Sequence, residues 1–209
     1  MVNTQALTKG EQTRERILDI AQSAVLHKGF AGTSIDEIIT EAGITKSGFF
    51  YHFKDKNDLA KSLLQRYLDT EWVLFDELFQ KADGLSEDPL HGFLIFLKLF
   101  AEVMGDLPSG HPGCPAAAYV YQDFQFSRDV RELTTEGHRI WRQRFREKLD
   151  KIAKRYPMRI DIDLDDLADM LSAVADGGII LSKSLRDPGL LPRQILQHRS
   201  FIRLVFAGN

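Results

Sequence analysis

Apolar residues recur every three to four positions through most of the chain, a spacing that predicts helices almost throughout. Between Glu11 and Lys28, Ile17, Ile20, Ala21, Ala24 and Val25 fall on one side, and Gly29 is a natural stop. A short helix over 34–41 gathers Ile35, Ile38, Ile39 and Ala42 on one side. Gly43 breaks it, and a second short helix is expected over about 45–52. A long helix then runs from about Asp55 to Lys81, with Asp55 as its N-cap and Asp58 as an acid in its first turn. Further helices are expected at 88–105, 115–125, 127–155, 164–186 and 191–206, separated by Gly84, by the stretch Pro108 to Pro112, by Pro157 and by Asp187-Pro188-Gly189. No segment alternates as a strand does, so the fold class is all-α.

Two short helices joined by a tight glycine turn and braced by a longer helix before them form a helix-turn-helix, the geometry that seats a recognition helix in a major groove. Thr33 and Ser34 are placed to cap the first short helix. Thr45, Lys46, Ser47 and Gly48 open the second with small polar groups and one cation, which permit a close backbone approach to DNA. The aromatic run Phe50, Tyr51, His52 is suited to lie against sugar and phosphate. Lys54 and Lys56 add charge beside the N-terminus of the next helix, whose free amides favour an anion.

The string from Thr13 to Leu59 closely resembles the N-terminal domain of the tetracycline-repressor (TetR) family. The resemblance is carried by Thr13, Arg14, Ile17 and Leu18, then Gly29, Phe30 and Thr33, then Ala42-Gly43-Ile44, Lys46, Tyr51-His52-Phe53, Lys56 and Leu59. It implies a helix-turn-helix DNA-binding domain (1–56) joined by a long helix to a C-terminal helical domain (57–209) that binds a ligand and dimerises. It further implies that Thr45, Lys46 and Ser47 meet base edges, while Ser34, Tyr51, His52 and Lys56 hold the DNA backbone. The family usually carries tyrosine, with a hydroxyl for a phosphate, where this chain has Phe50. Double-stranded operator DNA, a small-molecule effector and a second copy of the chain are the partners so implied. Helices near 164–186 and 191–206 are the expected dimer contact, and Gly177-Gly178 suggests a close helix crossing there.

Charge modifies this picture. The whole chain carries a formal charge of −3, and residues 1–56 hold seven Lys/Arg against seven Asp/Glu. Attraction to phosphate therefore has to come from a few placed cations and helix ends. The single cysteine excludes an internal disulfide and fits a reducing cytoplasm. No apolar window is long enough for a membrane span, and the polar N-terminal segment lacks a secretion signal.

Fourteen phenylalanines suit a largely apolar effector pocket, with Phe75, Phe96, Phe100 and Trp141 as candidate walls and Tyr119, Gln122 and His138 as its polar groups. Cys114, before Pro115, is expected at the start of a helix whose dipole favours thiolate, which makes it a candidate electrophile sensor or else a buried structural thiol. Asp161, Asp163 and Asp165 lack the glycine and terminal glutamate of a calcium loop and read as helix-start acids. Arg139, Arg142, Arg144, Arg146 and Lys148 alternate with acids as on a solvated helix face. The six histidines show no metal or catalytic spacing, so neither an enzyme nor a cofactor or metal is expected. The reading is a cytoplasmic, sequence-specific transcriptional regulator, a repressor released by an apolar or electrophilic ligand. A helical interaction adaptor without DNA binding is the alternative.

Overall fold

The computed structural model describes residues 7–206. Residues 1–6, on which the reading of a leader-free N-terminal segment partly rests, lie outside the described residues. Among the described residues there are nine α-helices and no strand: α1 (Lys9–Lys28), α2 (Ile35–Ala42), α3 (Lys46–His52), α4 (Lys56–Leu85), α5 (Pro89–Gly105), α6 (Pro115–Val120), α7 (Arg128–Arg155), α8 (Leu164–Ser184) and α9 (Leu190–Phe206). None is long and apolar enough to cross a membrane.

Two expectations give way. Gly84 does not end the long helix; α4 runs on to Leu85, because a single glycine costs only about 1 kcal/mol in a helix. The helix expected over 115–125 stops at Val120 and resumes as a 3-10 turn, Asp123–Gln125, held by Gln125 N–H to Gln122 O (2.9 Å) and Phe126 N–H to Asp123 O (3.0 Å). The tightened backbone lets the chain fold back so that Phe126 stacks on Tyr119 (4.3 Å between centroids).

The chain forms two compact units. Among the described residues the first comprises 7–68 and 115–134, the second 69–114 and 135–206. This division differs from a cut at residue 56 in two ways: it crosses α4 after Leu68, and it assigns 115–134 to the N-terminal unit.

In the first unit α1 buries Ile17, Leu18, Ala21 and Val25, and α2 packs on it through Ile38 and Ala42. Side chains close the helix starts. Thr8 with Glu11, and Ser34 with Glu37, form reciprocal capping boxes, and Thr45 caps α3 through its hydroxyl. Gly43 ends α2 in the left-handed conformation (φ 62°) and supplies the tight turn before α3. α4 is pinned to α1 by Arg66, which reaches Glu15 (3.1 Å), Asp19 (2.7 Å) and Gln22 (2.8 Å).

In the second unit α9 packs against both α5 and α8. Asp88 caps α5 immediately before Pro89, and Asp163 caps α8, so the acidic run at 161–165 serves a helix start. The basic run on α7 is paired with other helices: Arg142 with Asp169 (2.5 Å), Arg146 with Asp165 (2.6 Å), Lys148 with Asp83 (2.8 Å) and Arg144 with Asp76.

The α8–α9 crossing depends on Gly178, not on Gly177. A β-carbon at Gly178 would lie 2.8 Å from Leu191 Cδ1 and 3.3 Å from Leu191 Cα, whereas nothing comes within 4 Å of one at Gly177. Gly178→Val is expected to lower stability by about 1–3 kcal/mol through overpacking. Gly84→Ala, which meets open space, is expected to raise it by about 0.5 kcal/mol. Urea unfolding of the two variants checks both signs.

Candidate nucleic-acid interface and effector site

At seven residues α3 is too short to stand alone, and tertiary burial fixes it. Phe49 and Phe53 are fully buried and lie 5.7 Å apart, and the Arg14 guanidinium of α1 sits 5.1 Å above the Phe53 ring. With those positions turned inward, the helical period leaves Lys46, Ser47, Phe50 and Tyr51 outward. Tyr51 is 84% exposed and Phe50 44%. His52 is half-buried, edge-on to Tyr51 at 5.0 Å.

Several of the expected DNA-facing groups also have internal work. Thr45 Oγ1 accepts from Gly48 N–H (3.1 Å) and lies 3.0 Å from Ser47 Oγ. A β-carbon at Gly48 would stand 3.2 Å from that hydroxyl, so this glycine makes room for the cap itself. Ser34 Oγ is engaged with Glu37 in its capping box. Thr33 does not cap α2; it is buried and donates its hydroxyl to Gly29 O (2.9 Å). Lys46 is exposed, its ammonium 3.9 Å from Asp36, a loose pair that leaves it available to an anion.

Lys56 is turned inward. Its ammonium donates to Phe30 O at 2.6 Å and sits 4.3 Å above the Phe30 ring, and burial lowers its pKa. The amides at the start of α4 are partly used too. Asp58 N–H donates to Asp55 Oδ1 (2.9 Å), confirming Asp55 as the cap, and Asp58 Oδ2 accepts from Lys54 N–H (2.9 Å). Two carboxylates at that helix end offset its attraction for phosphate.

Segment 115–134 clasps the same unit. Phe30, Tyr119 and Phe126 form one aromatic group, with Phe30 and Phe126 4.5 Å apart, and the Tyr119 hydroxyl donates to Ala60 O of α4 (3.2 Å). Ser127 N–H donates to Asn57 Oδ1 (2.8 Å), Lys61 pairs with Asp129 (3.1 Å), and Gln122 lies against Gly29. Tyr119 and Gln122 therefore belong to the first unit, apart from the other six candidate effector residues.

Those six divide again. Phe75, Phe96 and Phe100 pack ring against ring with Phe79 and Phe145, with the closest stack, Phe79 on Phe96, at 3.9 Å. All five are buried, and they are core. Cys114 and His138 instead act on one carboxylate, with Trp141 beside His138. The Cys114 thiol donates to Asp176, the His138 charge acts on the same group, and Trp141 stands edge-on to His138 at 5.3 Å. Glu71 of α4 faces Asp176 as well. Sequence reasoning missed both acids, since isolated acids on helices read as solvated. Cys114 is only 7% exposed, with its thiol engaged by the Asp176 carboxyl.

Burial, and secondarily the charge of Asp176, push the Glu71 carboxyl up to about 7. Since the unfolded group titrates near 4.5, the folded state holds more protons in between, and stability falls as pH rises from about 4.5 to 7. His198 and His111, both depressed to about 4 and both by burial first, act in the opposite sense as pH drops below 6.5. Glu71→Gln isolates the first effect: its stability gain over the parent should grow across that interval toward a plateau of up to about 3 kcal/mol. Urea midpoints at pH 5 and pH 8 test this, and an equal gain at both would refute it.

Residues 17–63, which contain α2, α3 and the start of α4, match the family model described as bacterial regulatory proteins, tetR family. The transcriptional regulator AcrR of Shigella flexneri is 41% identical over 51 residues, which span 24% of either chain. LmrA of Bacillus subtilis is 25% identical over 178 residues, covering 84% of this chain and 88% of LmrA. Among solved structures, a TetR-family regulator from Agrobacterium tumefaciens superposes with a TM-score of 0.77 at 18% identity, over 95% of this chain and all of that one. The local match, the near full-length relative and the shared fold agree: residues 17–63 match the tetR family of bacterial regulatory proteins, and the chain along most of its length is similar to regulators of that family.

Proposed function

We propose that this chain is a dimeric DNA-binding transcriptional repressor, acting in the cytoplasm, that leaves its operator when a small molecule enters the second unit. The observation that carries the DNA-binding half is the outward face of α3. Lys46, Ser47 and Tyr51 offer a cation and two hydroxyls there, over a helix fixed from below by Phe49 and Phe53. Thr45, Gly48 and His52 shape that face, and Ser34 flanks it from the cap of α2. Lys56 contributes by holding the Phe30 loop as well as by its charge.

The homodimer is supported by a run of exposed apolar side chains on α8, its C-terminal cap and α9: Ile180, Leu181, Leu185, Leu196 and Leu204. A stripe of this kind is disfavoured in water and fits an isologous contact with a second copy. Two copies would present two reading heads to successive major grooves.

The effector reading narrows to Cys114, His138 and Trp141, joined by Glu71 and Asp176. Buried ionisable groups with shifted titration mark the best candidate for recognition in the second unit. Cys114 enters this reading as a polar wall in preference to a nucleophile. α4, which belongs to both units, is the continuous element through which occupancy would shift the DNA-binding population.

Two measurements test the proposal. In gel shifts with DNA flanking the chain's own gene, Lys46→Ala should weaken binding by at least about tenfold while leaving the circular dichroism spectrum unchanged. Absence of any shift by the parent protein at low salt would return the chain to the adaptor reading. The double variant Leu181→Glu/Leu185→Glu should sediment as a monomer and bind DNA far more weakly than the parent. A variant that remains dimeric would move the interface elsewhere.

A further inference from the structure

We infer that Phe50 is a specificity-determining residue that reads the 5-methyl group of a thymine in the operator. The inference rests on the DNA-binding reading above and adds to it which base the reading helix selects.

Phe50 stands out from its aromatic neighbours. Phe49 and Phe53 are buried in the first unit, whereas Phe50 leaves nearly half its surface in water. It lies four residues after Lys46 and three after Ser47, so the helical period sets all three on one side of α3. Its ring is held edge-on against Phe49, with centroids 5.4 Å apart and planes at 88°. One flank is therefore fixed by packing, which makes the exposed part a rigid apolar surface and not a loosely waving side chain. Tyr51, the adjacent aromatic, carries a hydroxyl with which to hold a phosphate oxygen. Phe50 has no polar atom and can contribute to DNA only by apolar contact.

Among the base edges in the major groove, the thymine 5-methyl is the distinctive apolar group, the rest being donors and acceptors. An exposed phenylalanine beside the one cation of the reading face gains most where a methyl covers it. Opposite cytosine, the same ring would instead stand against an amino group whose water it displaces without replacing the hydrogen bond. The competing placement is against deoxyribose, which gives affinity without sequence preference. The two differ in a measurable way.

The test uses the full-length dimer and a duplex enriched by it from a random pool. That duplex is remade with deoxyuridine in place of each thymine in turn, which deletes only the methyl. At one thymine position per half-site, the substitution should weaken parent binding by about fourfold, the value of one buried methyl. The same substitution should leave Phe50→Ala binding unchanged, so the two losses are not additive at that position and are independent elsewhere. Phe50→Leu, still apolar and close in reach, should retain most of the thymine preference. Phe50→Ala should also keep the parent's dependence of affinity on salt, because no phosphate contact is lost, whereas Lys46→Ala should flatten that slope by about one.

A parent protein indifferent to every methyl overturns the inference, and needs no variant to do so. So does a Phe50→Ala loss that is equal on thymine and uracil duplexes, which would assign the ring to sugar packing, or an enriched site without a fixed thymine in each half. Failure to enrich any sequence would remove the DNA-binding reading itself, and the inference with it.

Discussion

The burial of Phe49 and Phe53 is the constraint on which the DNA-facing surface depends. A helix of seven residues pays more to nucleate than its own hydrogen bonds return, so α3 exists only because two rings of its inner face are taken out of water. That burial fixes the helix in rotation as well as in place. With positions 49 and 53 inward, 46, 47, 50 and 51 must face outward. The Thr45 cap and the left-handed Gly43 then set where the helix begins, and the Arg14 guanidinium over Phe53 ties the arrangement to α1.

Charge is used sparingly around this surface. The first unit holds many of its cations against its own groups: Lys28 on Glu37, Lys56 on the Phe30 carbonyl, Arg66 across three side chains of α1, and Lys61 on Asp129. Most of these pairs are surface contacts worth little individually. Collectively they tie α1 to α2 and α4, and tie α4 to the Phe30 loop and to segment 115–134. Within residues 1–56, Lys28 and Lys56 are held against groups of the unit itself, whereas Lys46 is exposed and only loosely paired with Asp36. A surface with so little net attraction gains specificity from short-range contacts instead, the regime in which one apolar ring can matter.

Most helix limits were legible in the sequence, because an amphipathic stripe flanked by Ser34, Thr45, Asp55 or Asp88 leaves few alternatives for where a helix starts. The outward face of α3 follows from the same pattern, with Phe49 and Phe53 as its apolar inner positions. What escaped were facts of long-range pairing. Nothing in the string around Tyr119 announces that it stacks with Phe126 and Phe30 or reaches the Ala60 carbonyl, so segment 115–134 read as part of the effector half. Phe75, Phe96 and Phe100 were equally ambiguous, since a core and an apolar pocket draw on the same residues. Glu71 and Asp176 lie far apart in sequence and look like ordinary helix-surface acids; only packing makes them neighbours.

The second unit carries polar groups that its packing does not serve well. His198, 3% exposed on α9, has both ring nitrogens buried without a hydrogen-bond partner among the described residues, and Trp72 Nε1 is in the same position. Such groups cost stability relative to an apolar side chain of equal volume, and the extensive α5–α9 and α8–α9 contacts have to offset them. The imidazole survives there by remaining neutral, which is what its depressed titration expresses. Glu71 meets the same burial from the acidic side and responds by holding its proton toward neutrality. Both responses minimise charge in the interior and draw stability in opposite directions as pH changes, so the pH dependence of the second unit's stability reflects the balance between its buried acids and its buried histidines.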